Sequence, residues 1–310
     1  MSGFWPVFRF KILISFVGLA FIWGGAFVGI KVVVTALPPI HAAAIRMAIA
    51  VPFLWITFRL LGRSLSVPRK FWVRNWIAGL FMIGIPYAFV FWGETKIPAG
   101  VAGIINGTVP LWTALITVLP WSPWFDRKQR LDTKMIVGLV LGFVGLLIIF
   151  APKLNLSGSS DEVLGLLAVV VMALCYSLSN VLNARLLIPE NKVTISGNVY
   201  HQHAVSLVFL VIAALIFEPG ETSLAPLWEP KVLFSMLFLG ILSGATALLI
   251  YYFLIREIGA IRTSAITYLI PVGAVILDFV VLGSKPNAQT LLGAGFILGA
   301  VFFIRTAPAK

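Results

Sequence analysis

The sequence has few charged residues and almost no cysteine. Only 11% of its 310 residues are charged and 60% are hydrophobic, whereas a typical soluble domain has about 25% charged residues. The single cysteine, Cys175, lies within an apolar run and excludes a secreted domain held by disulfides. A chain of this length and composition is predicted to lie in a lipid bilayer.

Acidic residues are also scarce, with 11 Asp and Glu against 23 Lys and Arg, so the net charge is +12. A balance this basic is found in proteins that bind nucleic acid. Here, however, the basic residues fall at the ends of apolar segments and form no basic stripe. We therefore expect no nucleic-acid partner and interpret these charges as determinants of membrane topology.

The apolar segments predict ten transmembrane helices. The first follows Arg9 and Lys11, as in a signal peptide, but its length suits a retained helix that crosses the bilayer. Charged, Pro and Gly clusters divide the rest of the chain. The predicted spans cover residues 12–30, 40–61, 72–93, 97–119, 135–150, 162–186, 195–217, 231–255, 260–283 and 287–305.

The distribution of Lys and Arg predicts the orientation of these spans. Seventeen of the 23 basic residues fall at one set of span ends and five at the other, while Arg46 lies inside a span. Cytoplasmic loops carry the excess of Lys and Arg. Both termini are therefore predicted to be cytoplasmic, which requires an even number of spans.

An internal repeat appears when the sequence is shifted by 161 positions. Residues 98–110 then align with residues 259–271, and each segment runs through small residues to a proline within a predicted helix. Glycine-spaced helices follow both segments. Because five spans is an odd number, the second copy would enter the membrane from the opposite side. The sequence thus predicts an all-α membrane protein of two inverted five-helix repeats, residues 1–155 and 156–310.

These features resemble a known family. Trp23-Gly24, Lys31, Pro38 and Arg46, together with the two proline-ended segments, are similar to the EamA-type branch of the drug/metabolite transporter superfamily. The resemblance implies a secondary carrier that exports small metabolites, such as amino acids or amphipathic compounds, across the bacterial inner membrane. It also implies that helices 1, 3, 4, 6, 8 and 9 line the pathway, while helices 5 and 10 brace each half.

Three ionisable residues inside predicted spans are candidates for gating or ion coupling, because such groups are costly in hydrocarbon. Arg46 either holds a substrate carboxylate or closes an outer gate, or else it forms a structural tie. Asp278 is its candidate partner or a proton site, with a capped carboxylate as the alternative. His201 either relays protons or, like His203, is a satisfied polar residue near the interface.

Polar residues in the sixth span fall on one helix face. Tyr176, Asn180 and Asn183 are spaced i, i+4 and i+7, and they either bond neighbouring helices or line a polar cavity. Further polar candidates precede the two repeat prolines, and aromatic candidates lie deep in other spans. The predicted substrate-binding set is Trp23, Tyr87, Asn106, Thr108, Tyr176, Asn180, Tyr251, Thr267 and Tyr268.

No enzyme is predicted, because hydrolase, phosphate-binding and metal motifs are missing from the sequence. We likewise expect no cofactor and no metal. The predicted partners are a small-molecule substrate and the lipid bilayer, with a coupling proton left open. A channel and a membrane scaffold that does not transport remain the alternative functions.

Overall fold

The computed structural model describes residues 4–118, 132–150, 159–220, 223–273 and 288–306. Every regular element in these ranges is a helix. We number the helices α1 (Phe4–Val34), α2 (Pro39–Leu60), α3 (Arg69–Lys96), α4 (Ala99–Val118), α5 (Thr133–Phe150), α6 (Ser160–Leu186), α7 (Ile195–Phe217), α8 (Pro230–Ile258), α9 (Ala260–Ser264 and 266–273) and α10 (Ala288–Thr306).

Seven of these helices, α1 to α4 and α6 to α8, are long and apolar enough to cross a membrane. The apolar helices α5 and α10 are shorter, and α9 is described only to residue 273. The chain is therefore a polytopic helical membrane protein. The total of ten spans and the inverted repeat stay predictions.

Local chemistry fixes several helix ends. Pro39 lies in the first turn of α2, where its missing N–H costs nothing. Thr194 caps α7, since its hydroxyl accepts a hydrogen bond of 3.0 Å from the Gly197 N–H. Gly259 has φ +84°, a value that disfavours other residues, and this turn separates α8 from α9.

Both α3 and α8 contain a wider, π-helical segment near their middle. These segments are Leu80–Gly84 and Phe238–Thr246, and the 161-residue shift brings them into register. Each segment inserts extra backbone into a helix and so rotates the face that follows it. The two helices thus share the same irregularity at corresponding depths.

The helices α5 and α10 pack closely on each other through glycine. A side chain at Gly145 would lie 2.7 Å from the Gly293 carbonyl oxygen, and one at Gly138 would lie 2.7 Å from Ile304. These glycines therefore allow the close approach of the two helices. An added methyl at Gly295 or Gly299 would meet nothing within 4 Å, so these two positions do not contribute to it.

Candidate functional site

A partly open cavity lies among the helices, with about 710 Å³ of empty space that includes its open side. Its walls come from α1, α2, α3, α4, α6, α8 and α9, so the six helices expected to line a pathway all contribute, and α2 adds one residue. The residues of α5 and α10 that the structure describes contribute none. The lining residues are Trp23, Ala26, Phe27, Ile30, Arg46, Met82, Tyr87, Val90, Asn106, Val109, Met172, Tyr176, Asn180, Ser243, Leu248, Tyr251, Thr267 and Ile270.

The structure brings seven of the nine predicted substrate-binding residues together around this cavity. They are Trp23, Tyr87, Asn106, Tyr176, Asn180, Tyr251 and Thr267. Thr108 and Tyr268 are not among the lining residues. The Thr108 hydroxyl accepts a hydrogen bond of 3.1 Å from the Trp112 indole, and the Tyr268 hydroxyl donates at 3.0 Å to the Leu139 carbonyl of α5. Tyr268 therefore joins α9 to α5.

Aromatic rings form one wall of the cavity. The rings of Trp23 and Tyr251 lie 4.9 Å apart at an interplanar angle of 56°, which is a favourable tilted pair. The Trp23 indole N–H donates to the Ser243 carbonyl at 3.1 Å, and this bond fixes α1 against α8. The wall therefore presents an apolar surface of two tilted rings, one of which is held by a hydrogen bond.

Polar groups interrupt that wall. The Tyr251 hydroxyl donates at 2.9 Å to the Asn180 side-chain oxygen, and the Asn180 amide reaches Thr113 at 3.4 Å. Asn106 and Thr267, which correspond under the 161-residue shift, both line the cavity four residues before a proline. Because proline has no N–H, it cannot bond the carbonyl one turn earlier. The cavity thus combines apolar surface with convergent polar groups, as ligand sites do.

Arg46 is the charged residue of the cavity lining that the structure describes. It is only 2% exposed, and its guanidinium lies 4.1 Å above the centre of the Tyr87 ring. Its Nη2 donates to the Ser243 hydroxyl at a long 3.4 Å. The proposed partner Asp278 lies outside the described residues, so that pairing stays a prediction.

The polar face of α6 divides between two environments. Asn180 lines the cavity, whereas Asn183 accepts hydrogen bonds from Asn198 at 2.8 Å and from Gln202 at 2.9 Å. The part of the face at Asn180 therefore lines the cavity, while the part at Asn183 bonds a neighbouring helix. We name the second group the amide cluster; its members are Asn75, Asn183, Asn198, Gln202 and Tyr252.

The histidines of α7 lie away from the cavity. His201 is in hydrogen-bond contact at 3.1 Å with the Leu65 carbonyl, in the connection between α2 and α3. His203 is buried and bonds the Val199 carbonyl of its own helix at 2.8 Å. A role of His201 in ion coupling stays a prediction, and its position indicates an anchor for the loop.

Glu94 is a buried acid that lies just past the end of the third predicted span, residues 72–93. In the structure α3 continues to Lys96 and leaves Glu94 fully buried. Neither carboxyl oxygen has a hydrogen-bond partner among the described residues. Lys31 of α1 donates instead to the backbone carbonyls of Glu94, at 2.5 Å, and of Ile97, at 3.4 Å. The predicted span was therefore too short by about one helical turn.

Comparison with known proteins gives consistent matches along the chain. The sequence profile of the EamA-like transporter family matches twice, over residues 10–151 and 163–306. YoaV of Bacillus subtilis (strain 168), named as an uncharacterized transporter, is 25% identical over 94% of this chain and 96% of its own. YedA of Escherichia coli (strain K12), named as an uncharacterized inner membrane transporter, is 25% identical over 96% of this chain and 92% of its own.

The fold is also similar to a solved one. A protein crystal structure superposes with a TM-score of 0.75 over 96% of this chain and 98% of that one, at 19% identity. The family profile matches both halves of the sequence. The two relatives are matched over nearly their whole length, and both are named as transporters. The chain therefore belongs to the EamA-like transporter family and is a membrane transporter of the drug/metabolite type.

Proposed function

We propose that the protein is a secondary active exporter of small metabolites, such as amino acids or amphipathic compounds. The observation that carries this proposal is the central cavity, whose lining comes from helices of both predicted halves. A site between two halves is accessible from either side when one half moves against the other. Its apolar walls and few polar groups suit a small organic molecule better than a hydrated ion.

We assign substrate binding to the cavity residues Trp23, Tyr87, Asn106, Tyr176, Asn180, Tyr251 and Thr267. Trp23 and Tyr251 would stack on an apolar part of the substrate. The Asn106 side chain makes no hydrogen bond with the described residues and is free to bond a polar group. The roles of Thr108 and Tyr268 would then be indirect, because each fixes the backbone beside the site.

The proposed architecture is ten helices in two inverted repeats, residues 1–155 and 156–310, in the bacterial inner membrane with both termini in the cytoplasm. The two family matches and the paired π-helical segments support the repeat. The uneven distribution of Lys and Arg supports the orientation. Reporter fusions after Arg130 and Lys310 should read as cytoplasmic, and one after Glu221 as periplasmic. A periplasmic carboxyl terminus would contradict the architecture.

Counterflow in proteoliposomes tests the function. Vesicles loaded with one metabolite at a time should accumulate its labelled form from outside, with saturation and without a driving gradient. Asn106→Ala should reduce this accumulation, whereas Gly103→Ala, on the same helix but facing open space, should not. Fast unsaturated flux would indicate a channel, and absence of flux across a broad metabolite panel would indicate a scaffold.

Coupling and direction need a second measurement on any metabolite that shows counterflow. Secondary active export predicts net movement of this metabolite against its gradient when a proton or other ion gradient is imposed. Net movement that always follows the metabolite's own gradient would reduce the protein to a facilitator.

A further inference from the structure

Arg46 occupies an unusual position for a cation in a membrane protein. It lies two turns into α2, about 10 Å from the start of the helix at a rise of 1.5 Å per residue. Arginine at such a depth is costly unless it reaches the interface or meets an anion. Arg46 is only 2% exposed and lines the cavity. Its side chain therefore does not extend to the lipid headgroups.

The guanidinium is poorly satisfied by the part of the chain that the structure describes. Its Nε is buried with no hydrogen-bond partner, and the single bond from Nη2 to Ser243 is long, at 3.4 Å. No Asp or Glu oxygen within these residues lies within 4.0 Å of it. A guanidinium has five N–H donors, so most of this capacity remains available.

The neighbours of Arg46 that the structure describes hold the guanidinium in place and do not neutralise it. Tyr87 lies under it at 4.1 Å and Phe91 at 5.9 Å, both as cation–π contacts. On the other side the guanidinium lies beside Gly244, where an added methyl would be in ordinary contact with Nε at 3.6 Å. The positive charge therefore faces the cavity with its position fixed, as at a site that binds an anion.

The rest of the cavity indicates the chemistry of the remaining part of a ligand whose acidic group contacts Arg46. The tilted pair of Trp23 and Tyr251 offers an apolar aromatic surface. Both residues line the same cavity as Arg46. Ser243 links the two features, because its hydroxyl accepts from Arg46 and its carbonyl accepts from Trp23. A molecule with an acidic group at one end and a ring at the other matches this arrangement.

We propose that the substrate class is small organic anions, in which a carboxylate binds Arg46 and an apolar, preferably aromatic, body stacks on Trp23 and Tyr251. This inference rests on the proposed transport function and specifies its substrate. An organic cation would place like charges together in a cavity whose described lining contains no acid. A neutral compound would leave the guanidinium without a counter-charge from the compound or from the described residues.

Three probes of similar size separate the classes: phenylacetate, phenylacetamide and phenethylamine. Titration calorimetry on the purified full chain in nanodiscs, at constant ionic strength, should show phenylacetate binding at least tenfold more tightly than the other two. Arg46→Gln should remove this preference, with at least a tenfold loss for phenylacetate, equivalent to ~1.4 kcal/mol. Arg46→Lys should keep the order of preference with weaker binding. Arg59→Gln, an exposed charge on the same helix, is the control and should bind as the wild type.

Three results would overturn the proposal. They are equal affinity for the three probes, phenylacetate binding that survives Arg46→Gln, and no phenylacetate binding by the wild type at millimolar concentration. If Arg46→Gln fails to fold, the preference of the wild type among the probes still decides. Counterflow separates this proposal from the function on which it rests. A protein that counterflows only neutral or cationic metabolites keeps the proposed function and loses this substrate class, whereas a protein with no counterflow loses the function itself.

Discussion

Two groups of buried polar residues lie close in sequence and differ in how they are satisfied. In the amide cluster, side chains of α3, α6, α7 and α8 bond one another: Asn75 donates to Asn198 at 2.6 Å, and Tyr252 donates to Gln202. In the cavity, the Arg46 Nε is buried without a partner in the described part of the chain, and Asn106 lines the same space. Both groups are buried, but only in the amide cluster are the hydrogen bonds of the polar side chains nearly all formed.

This difference separates a structural role from a binding role. Inside a membrane, a polar side chain is stabilised when another helix satisfies it, and such bonds hold helices together. Within the amide cluster, one atom, the Asn75 side-chain oxygen, lacks a partner among the described residues. Unsatisfied groups around a cavity are instead positioned for a ligand. Mutations in the cluster should therefore change stability, and mutations in the cavity should change transport.

The largest expected effect is on stability, from Gly79→Ala in α3. An added methyl at Gly79 would lie 2.8 Å from the Gln202 Cα, a backbone atom that cannot rotate away. Overpacking of this kind costs about 1–3 kcal/mol, and we expect the upper end because the cluster moves as well. Thermal unfolding in detergent measures the loss.

Gly103→Ala is the matched control for this variant. It adds the same methyl in open space, and it should leave stability unchanged or raise it by up to ~1 kcal/mol through helix propensity. Equal destabilisation by the two substitutions would show that close packing at the cluster is not the cause.

A smaller loss of stability is expected from Gln202→Leu. This change keeps the side-chain volume but leaves the Tyr252 hydroxyl without an acceptor and removes a donor from Asn183. The cost should be about 1–2 kcal/mol, the upper range for hydrogen bonds between membrane helices.

Asn106→Ala should lower transport with little change in the unfolding temperature. The reverse pattern, with a stable Gln202→Leu and an unstable Asn106→Ala, would contradict the distinction.

Cysteine labelling sharpens the comparison within a single helix. In a Cys175→Ala background, Tyr176→Cys and Asn180→Cys should react with a small hydrophilic thiol reagent, because both positions line the cavity. Asn183→Cys should stay unreactive, since its position lies in the amide cluster. Similar labelling rates at positions 180 and 183 would mean that water reaches both and that the two regions are one.

The smallest effect is expected from His201→Gln. The glutamine amide can still donate to the Leu65 carbonyl, which the histidine ring contacts at 3.1 Å. If His201 only anchors the loop, transport and its dependence on pH should match the wild type. A changed pH profile in proteoliposomes would instead give His201 the coupling role that the sequence pattern suggested.

The sequence predicted the membrane class and most of the cavity for a simple physical reason. Long apolar runs mark membrane helices, and a polar group deep inside such a run is costly unless it faces protein or water. Asn106, Asn180 and Tyr251 were identifiable on that basis alone. Their convergence on one cavity depends on how the helices pack, which the pattern of single helices does not contain.

Other features escaped prediction because helix geometry departs from the regular period. A π-helical segment rotates the face that follows it by about 100° per inserted residue. Tyr252 follows the segment in α8, so its hydrogen bond to Gln202 did not follow from spacing. Glu94 fell outside the third predicted span, which ended at residue 93, yet α3 continues past it to Lys96. Tyr268 follows the interruption of α9 at Ala265 and bonds α5 instead of lining the cavity.

The central claim is that the substrate binds in the cavity between the helices of both halves. Protection of Asn180→Cys from the thiol reagent, measured with a metabolite that shows counterflow, tests this claim most directly. We predict that labelling slows as the metabolite concentration rises, with a midpoint that matches half-saturation of transport. A labelling rate that stays constant while transport saturates would show that the substrate binds elsewhere.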